Sequence, residues 1–183
     1  MRPEAPEPTV RLFAGVWPPP EVTEILGSLE RPEVPGVRWT TPAQWHVTLA
    51  FLGDVAESRT EEVASALVGA TARAAAPPEA RLGPASVRLG RSVLCVPIDG
   101  LDELAAMVRA AFVASPLRAA LDQHPYRGHL TLARARRQRT VPASLVGAPI
   151  EASWRVREVG LVRSELDPSG ARYTTLVTAT VPS

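Results

Sequence analysis

Cysteine is almost missing from this chain: Cys95 is the only one in 183 residues. No disulfide can form within the chain, which suits a reducing cytosol, so a cytoplasmic location is expected. Cys95 lies in the apolar run Ser92-Val-Leu-Cys-Val96 and reads as a small buried hydrophobe, not a reactive thiol. No apolar run is long enough to cross a membrane, so no membrane partner is expected. Net charge is only +1, so global charge points to no class of partner. Residues 1–8 lack the apolar core of a signal peptide and read as a short disordered lead-in. Hydrophobic residues at 45% and charged residues at 21% are ordinary for a globular protein, and 183 residues suit one domain over 9–183. Nothing demands a dimer, and a monomer is expected.

Histidine is scarce as well, with three in the chain, and two of them sit in the same tetrapeptide. The first copy is His46-Val47-Thr48-Leu49 and the second is His129-Leu130-Thr131-Leu132. They lie 129 − 46 = 83 residues apart, close to half the chain. Both read as strands, with His46, Thr48 and Ala50 alternating with Val47, Leu49 and Phe51, and His129, Thr131 and Ala133 alternating with Leu130 and Leu132. His and Thr then share one face and the aliphatic residues bury the other. One such strand is usually structural, but two copies that also share the downstream Thr-Leu-Ala and a bulky residue (Phe51 or Arg134) point to one shared cleft.

Two histidines suit acid–base chemistry. An ordinary imidazole titrates near pH ~6.5, so one ring can accept a proton while its twin donates one. Each transfer contributes roughly 10²–10⁴ in rate. The threonine hydroxyl beside each ring can hydrogen-bond a phosphoryl oxygen and stabilise developing charge. The set needs no metal or other cofactor. His124 lacks the threonine partner, and neither acid clusters nor metal-ligand spacings accompany it, so it reads as an exposed loop residue rather than part of a three-histidine metal site.

These residues resemble the two-histidine (2H) phosphoesterases, and most closely their RNA 2′,3′-cyclic phosphodiesterase branch, long labelled 2′-5′ RNA ligases. The resemblance rests on His46-Val-Thr-Leu-Ala-Phe-Leu-Gly53 and His129-Leu-Thr-Leu-Ala-Arg134. The opening strand 10–18, Val37-Arg-Trp39 and Tyr173 reinforce it. Gly128 departs from the proline often found before the second histidine in that branch. The resemblance implies hydrolysis of a terminal 2′,3′-cyclic phosphate on RNA or a small cyclic nucleotide, leaving a 2′-phosphomonoester. It implies His46 as proton donor to the leaving oxygen and His129 as the base that activates water. It also implies weak joining activity in reverse. From the residues alone nothing separates the roles of the two rings. An idle nucleotide-binding module, or a phosphodiesterase for another small cyclic phosphate, would use the same residues.

Other candidates for substrate binding gather near the second motif. Arg134 belongs by resemblance near the phosphate, although strict alternation puts it opposite His129. Tyr126 and Arg127 precede the motif and suit base stacking or a flanking phosphate. Tyr173 is expected at the cleft wall by resemblance. Arg136, Arg137 and Arg139 read as a solvated rim, and Trp45 as rim packing.

Along the chain, patterning predicts strands at 9–17, 37–39, 44–52, 80–89, 92–98, 128–135, 153–165 and 171–181, with helices at 21–29, 57–75 and 101–114. Residues 116–125 read as a connector. Ser58 with Glu61 suggests a capping box for the second helix, and Asp99 or Asp102 a cap for the third. The fold class is α+β. The element order fits two lobes of antiparallel sheet with outer helices weakly, and the family resemblance implies that pseudo-symmetric layout, with the active-site cleft between the lobes.

Overall fold

The structure is a computed structural model, describing residues 7–114, 121–122, 124–136, 139–167 and 170–183. Its strands are β1 (Thr9–Val16), β2 (Val37–Trp39), β3 (Val47–Ala56), β4 (Glu79–Leu82), β5 (Val87–Leu89), β6 (Val93–Asp99), β7 (His129–Ala135), β8 (Ala152–Arg155), β9 (Glu158–Asp167) and β10 (Gly170–Thr180). Its helices are α1 (Pro20–Gly27), α2 (Thr60–Thr71) and α3 (Asp102–Val113). The strands form one path, β10-β9-β1-β3-β7-β6-β4-β8, with β2 on β7 and β5 on β6. All these pairings are antiparallel.

The α+β expectation holds, but the lobes are not halves of the chain. The first and last strands combine: β10, β9, β1 and β3 make one half-sheet, and β7, β6, β4 and β8 the other. Helix α2 packs on α3, and this pair lies against β3, β9 and β10, while α1 lies against β8. The helices follow from their apolar stripes: Val63, Leu67 and Ala70 on α2, and Leu104, Ala105, Val108 and Phe112 on α3, are all buried. Burying a side chain such as Phe112 contributes roughly 1.5–3 kcal/mol, so this seam anchors the half-sheet that carries the first motif.

Among the described residues the two half-sheets are joined by a single ladder pair. Between β3 and β7 the paired residues are Val47 and Leu130, the central residues of the two motifs. Extending that antiparallel register one residue either way sets His46 opposite Thr131 and Thr48 opposite His129. Each histidine thus faces the other motif's threonine, an approximate twofold arrangement.

Strict alternation fails just after each threonine, and the reason is a bulge. On β3, Gly15 of β1 pairs with Thr48 and Ala14 with Ala50, so Leu49 is an extra residue. On β7, Cys95 of β6 pairs with Thr131 and Leu94 with Ala133, so Leu132 is extra. An extra residue reverses the facing of everything beyond it. Leu49 and Ala50 are therefore both buried, as are Leu132 and Ala133. Arg134 turns to the same side as His129 and Thr131, correcting the facing that alternation predicts. Phe51 turns in the same way, and the Arg11 guanidinium lies over its ring at 4.7 Å.

Other boundaries shift for local reasons. The long strand predicted at 80–89 breaks at Gly83, whose φ of +126° suits glycine, and continues as β5. The strand predicted at 153–165 splits into β8 and β9, which lie in different half-sheets. The capping residues do not act as predicted: α2 is preceded by a 3-10 turn at Glu57–Arg59 and α3 starts from Leu101, neither with a side-chain cap. Trp45 is a core residue, 1% exposed, and not rim packing. Its indole N–H donates to the Thr40 hydroxyl and Arg31 covers its ring, so both its polar edge and its face are occupied. Cys95 is buried, and burial pushes its thiol up to about 11, as befits a small core residue. Residues 1–6 of the lead-in, part of the connector and Arg137 lie outside the described residues.

Candidate active site

Both histidines are fixed by the same local device. The His46 Nδ1–H donates to the Gln44 carbonyl at 2.7 Å, and the His129 Nδ1–H donates to the Arg127 carbonyl at 2.7 Å. A carbonyl can only accept, so Nδ1 carries the proton in each neutral ring. That leaves Nε2 as the nitrogen able to exchange a proton with a substrate. Each motif thus includes the carbonyl two residues ahead of its histidine, which a search for side-chain chemistry does not detect.

The two rings share a small pocket of about 70 Å³ with Thr48, Thr131, Arg38, Arg134, Gln44 and Tyr173. Pockets for whole drug-sized ligands run to ~300 Å³ and above, so this one suits a phosphoryl group. Among the described residues no acidic side chain lines it. Arg38 and Arg134 are direct cross-strand partners on β2 and β7. Like charges placed opposite one another repel, and an anion between them removes that cost. Two guanidinium forks, two hydroxyls and two imidazoles therefore make an anion site with acid–base groups attached.

The environments of the two rings differ. His46 is packed among Phe13 (ring centroids 4.8 Å apart), Trp17 (5.5 Å) and Tyr173 (4.9 Å). Burial, opposed by the Gln44 hydrogen bond and helped by Arg134 and His129, holds the His46 imidazole down to about 4. At neutral pH it is uncharged in the free protein. Burial also pushes the Tyr173 phenol up, with Arg134, Arg38 and Arg11 pulling the other way, so its hydroxyl stays a donor.

The sequence-predicted residues sort cleanly. His46, His129, Thr48, Thr131, Arg134 and Tyr173 converge on the pocket. Tyr126 does not line it: its ring packs on the core and its hydroxyl is buried near Gly128. Arg127 supplies its carbonyl to His129, while its side chain points to solvent. His124 is an exposed loop residue paired with Asp122 at 2.6 Å, and among the described residues no group of His, Cys, Asp or Glu could hold a metal ion.

Arg38, Thr40 and Gln44 are additions from the structure. Thr40 secures the second bulge: its hydroxyl lies 2.8 Å from both the Thr131 and Leu132 carbonyls, and its N–H donates to the Leu132 carbonyl at 2.8 Å. Gln44 donates through Nε2 to the Ala171 carbonyl at 2.8 Å, tying β10 to the first motif. Gly128 is explained too, because a Cβ there would run into the Ile98 carbonyl and the Tyr126 hydroxyl. The signal available for Arg38 is its place in Val37-Arg-Trp39, which reads as a short strand and reinforces the family resemblance without giving Arg38 a role.

Paired His-x-Thr strands meeting at one contact, with both rings held by carbonyls over an anion site, define a two-histidine phosphoesterase. Residues 18–168 match the 2′-5′ RNA ligase superfamily, and the chain belongs to that family. It is 32% identical over 187 residues to an RNA 2′,3′-cyclic phosphodiesterase of Thermus thermophilus, covering 91% of this chain and 88% of that protein. A second RNA 2′,3′-cyclic phosphodiesterase, from Methanothermobacter thermautotrophicus, is 33% identical over 149 residues, covering 75% of this chain and 79% of its own length. The crystal structure of the Thermus thermophilus protein TT0787 superposes with a TM-score of 0.77 at 31% identity, covering 93% of this chain and 97% of that one.

Proposed function

We propose that this protein is an RNA 2′,3′-cyclic phosphodiesterase that opens a terminal cyclic phosphate with water and needs no metal. The observation that carries the reading is the pair of locked imidazoles, each leaving Nε2 for one anion pocket. The two relatives of that name support the substrate class.

In the proposed reaction Thr48, Thr131, Arg38 and Arg134 bind the non-bridging phosphoryl oxygens. His129 takes a proton from water as it attacks phosphorus. His46 donates a proton to the departing 3′-oxygen, leaving a 2′-phosphomonoester. The geometry favours this division of labour: His46, packed among three rings, is neutral in the free protein, and the phosphate anion bound beside it favours its charged, proton-donating form. All the residues assigned roles here come from one chain, which supports a monomer.

The test is to incubate the purified protein, with EDTA, with a short RNA ending in a 2′,3′-cyclic phosphate, and to identify the product. A 2′-phosphate is expected. A 3′-phosphate would reverse the leaving group, and loss of activity in EDTA would overturn the metal-independent mechanism.

A further inference from the structure

A second groove, of about 490 Å³, lies beside the catalytic pocket on the same face of the sheet. Its floor is made of two glycines: Gly15 and Gly160 are cross-strand partners on β1 and β9. Gly15 also pairs with Thr48, so the floor lies one strand from the catalytic threonine. The indole of Trp17 separates the two spaces. One side stacks on His46, and its six-membered ring lies about 3.4 Å from where a Gly160 Cβ would stand. Thr175 stands on the β10 side. Arg155, the last residue of β8, and Arg157, in the link to β9, also line it.

This lining has the character of a single-stranded nucleic-acid track. It offers an aromatic ring for a base, hydroxyls for a ribose and two cations for a phosphate. Both arginines are exposed, because the alternating Trp154 and Val156 are buried. Among the described residues the Arg155 side chain makes no hydrogen bond or ion pair, and the Arg157 side chain makes only a long 3.4 Å bond to the Ser183 hydroxyl. Glu158 also borders the groove and leaves a net charge of +1 among the three.

We propose that this groove binds the RNA on the 5′ side of the terminal nucleotide, with Arg155 and Arg157 on an internucleotide phosphate. The inference rests on the reaction proposed above and makes the enzyme one for oligonucleotides over mononucleotides. A nucleoside 2′,3′-cyclic phosphate has no internucleotide phosphate and cannot use the two arginines.

The test compares a trinucleotide ending in a 2′,3′-cyclic phosphate with a nucleoside 2′,3′-cyclic phosphate, using the unmodified protein and the double variant Arg155→Gln, Arg157→Gln. The ratio of the two kcat/KM values, oligonucleotide over mononucleotide, should fall on the order of tenfold in the variant. The salt dependence of RNA binding should become shallower by about 0.7 in log–log slope for each phosphate the variant no longer neutralises. An unchanged ratio, or an equal loss for both substrates, overturns the proposal. If the unmodified protein hydrolyses neither substrate, the proposed function fails. Fluorescence anisotropy with a labelled trinucleotide ending in a 2′-phosphate then decides the groove: weaker binding by the double variant supports it, and equal binding overturns it.

Discussion

Filling the pocket between His46 and His129 with an anion should change the charge of His46. In the free protein burial holds this imidazole down to about 4, so it is neutral at pH 7. A phosphate oxyanion bound between Arg38 and Arg134 would lie next to the ring. At ~4 Å and an effective dielectric of ~20, a unit charge contributes about 4 kcal/mol. Each pKa unit corresponds to ~1.4 kcal/mol, so the imidazole should rise by about 3 units, into the neutral range. The same anion also offsets the field of Arg134. Histidine NMR, with His46→Gln used to assign the ring, should therefore show a His46 midpoint near 4 without ligand and near neutrality with saturating nucleoside 2′-phosphate. Proton uptake on binding at pH 6 should accompany it. A free-protein midpoint near ~6.5, or no shift on binding, would refute the account of His46 as an acid charged by its substrate. The depressed imidazole also affects stability. As pH falls from 6.5 to 4, the unfolded chain binds a proton that the folded ring refuses, so stability declines over that window. The span is 6.5 − 4 = 2.5 units, or at most about 3–4 kcal/mol. His46→Gln should flatten this part of the acid limb in urea titrations.

Three further outcomes follow from the geometry. His46→Ala and His129→Ala should each lower kcat by at least roughly 10² while leaving a cooperative thermal transition; near-normal turnover by either variant would sink the acid–base pair. Thr40→Val removes the hydroxyl that bridges the Trp45 indole to the bulge carbonyls, at a cost of roughly 1–3 kcal/mol, and should raise KM as Arg134 loses its placement; unchanged stability in chemical denaturation would remove Thr40 from that role. Gly128→Ala should disturb the Ile98 carbonyl and the approach of β7, lowering both melting temperature and kcat, and a neutral result in calorimetry and steady-state assays would show that the backbone there yields freely.

Much of the site could be read from local pattern. Two His-x-Thr strands in a chain with three histidines are distinctive, and alternation correctly puts His46 with Thr48 and His129 with Thr131 on one face. Period-two reasoning then fails just beyond each threonine, because a bulge is a property of the pairing and not of one strand. Leu49 and Leu132 are extra only relative to their neighbours on β1 and β6. Arg134 therefore enters the pocket against strict alternation, where the family resemblance places it. Trp45 defeats local reading for a related reason: a tryptophan beside a His-x-Thr strand looks like rim until Thr40 and Arg31 come in to satisfy it.

By itself the sequence determined the two motifs, the α+β alternation of elements, the buried character of Cys95 and the apolar stripes of the helices, since all are set by spacing within a few residues. Tertiary structure decided what depends on groups distant in the chain. It joined β9 and β10 to β1 and so brought Tyr173 against His46. It paired Arg38 with Arg134 across 96 positions (134 − 38) and laid Gly15 beside Gly160 to open the second groove. It also made the two similar motifs unequal, because desolvation depends on what packs around a ring: three aromatic side chains surround His46 and lower its proton affinity.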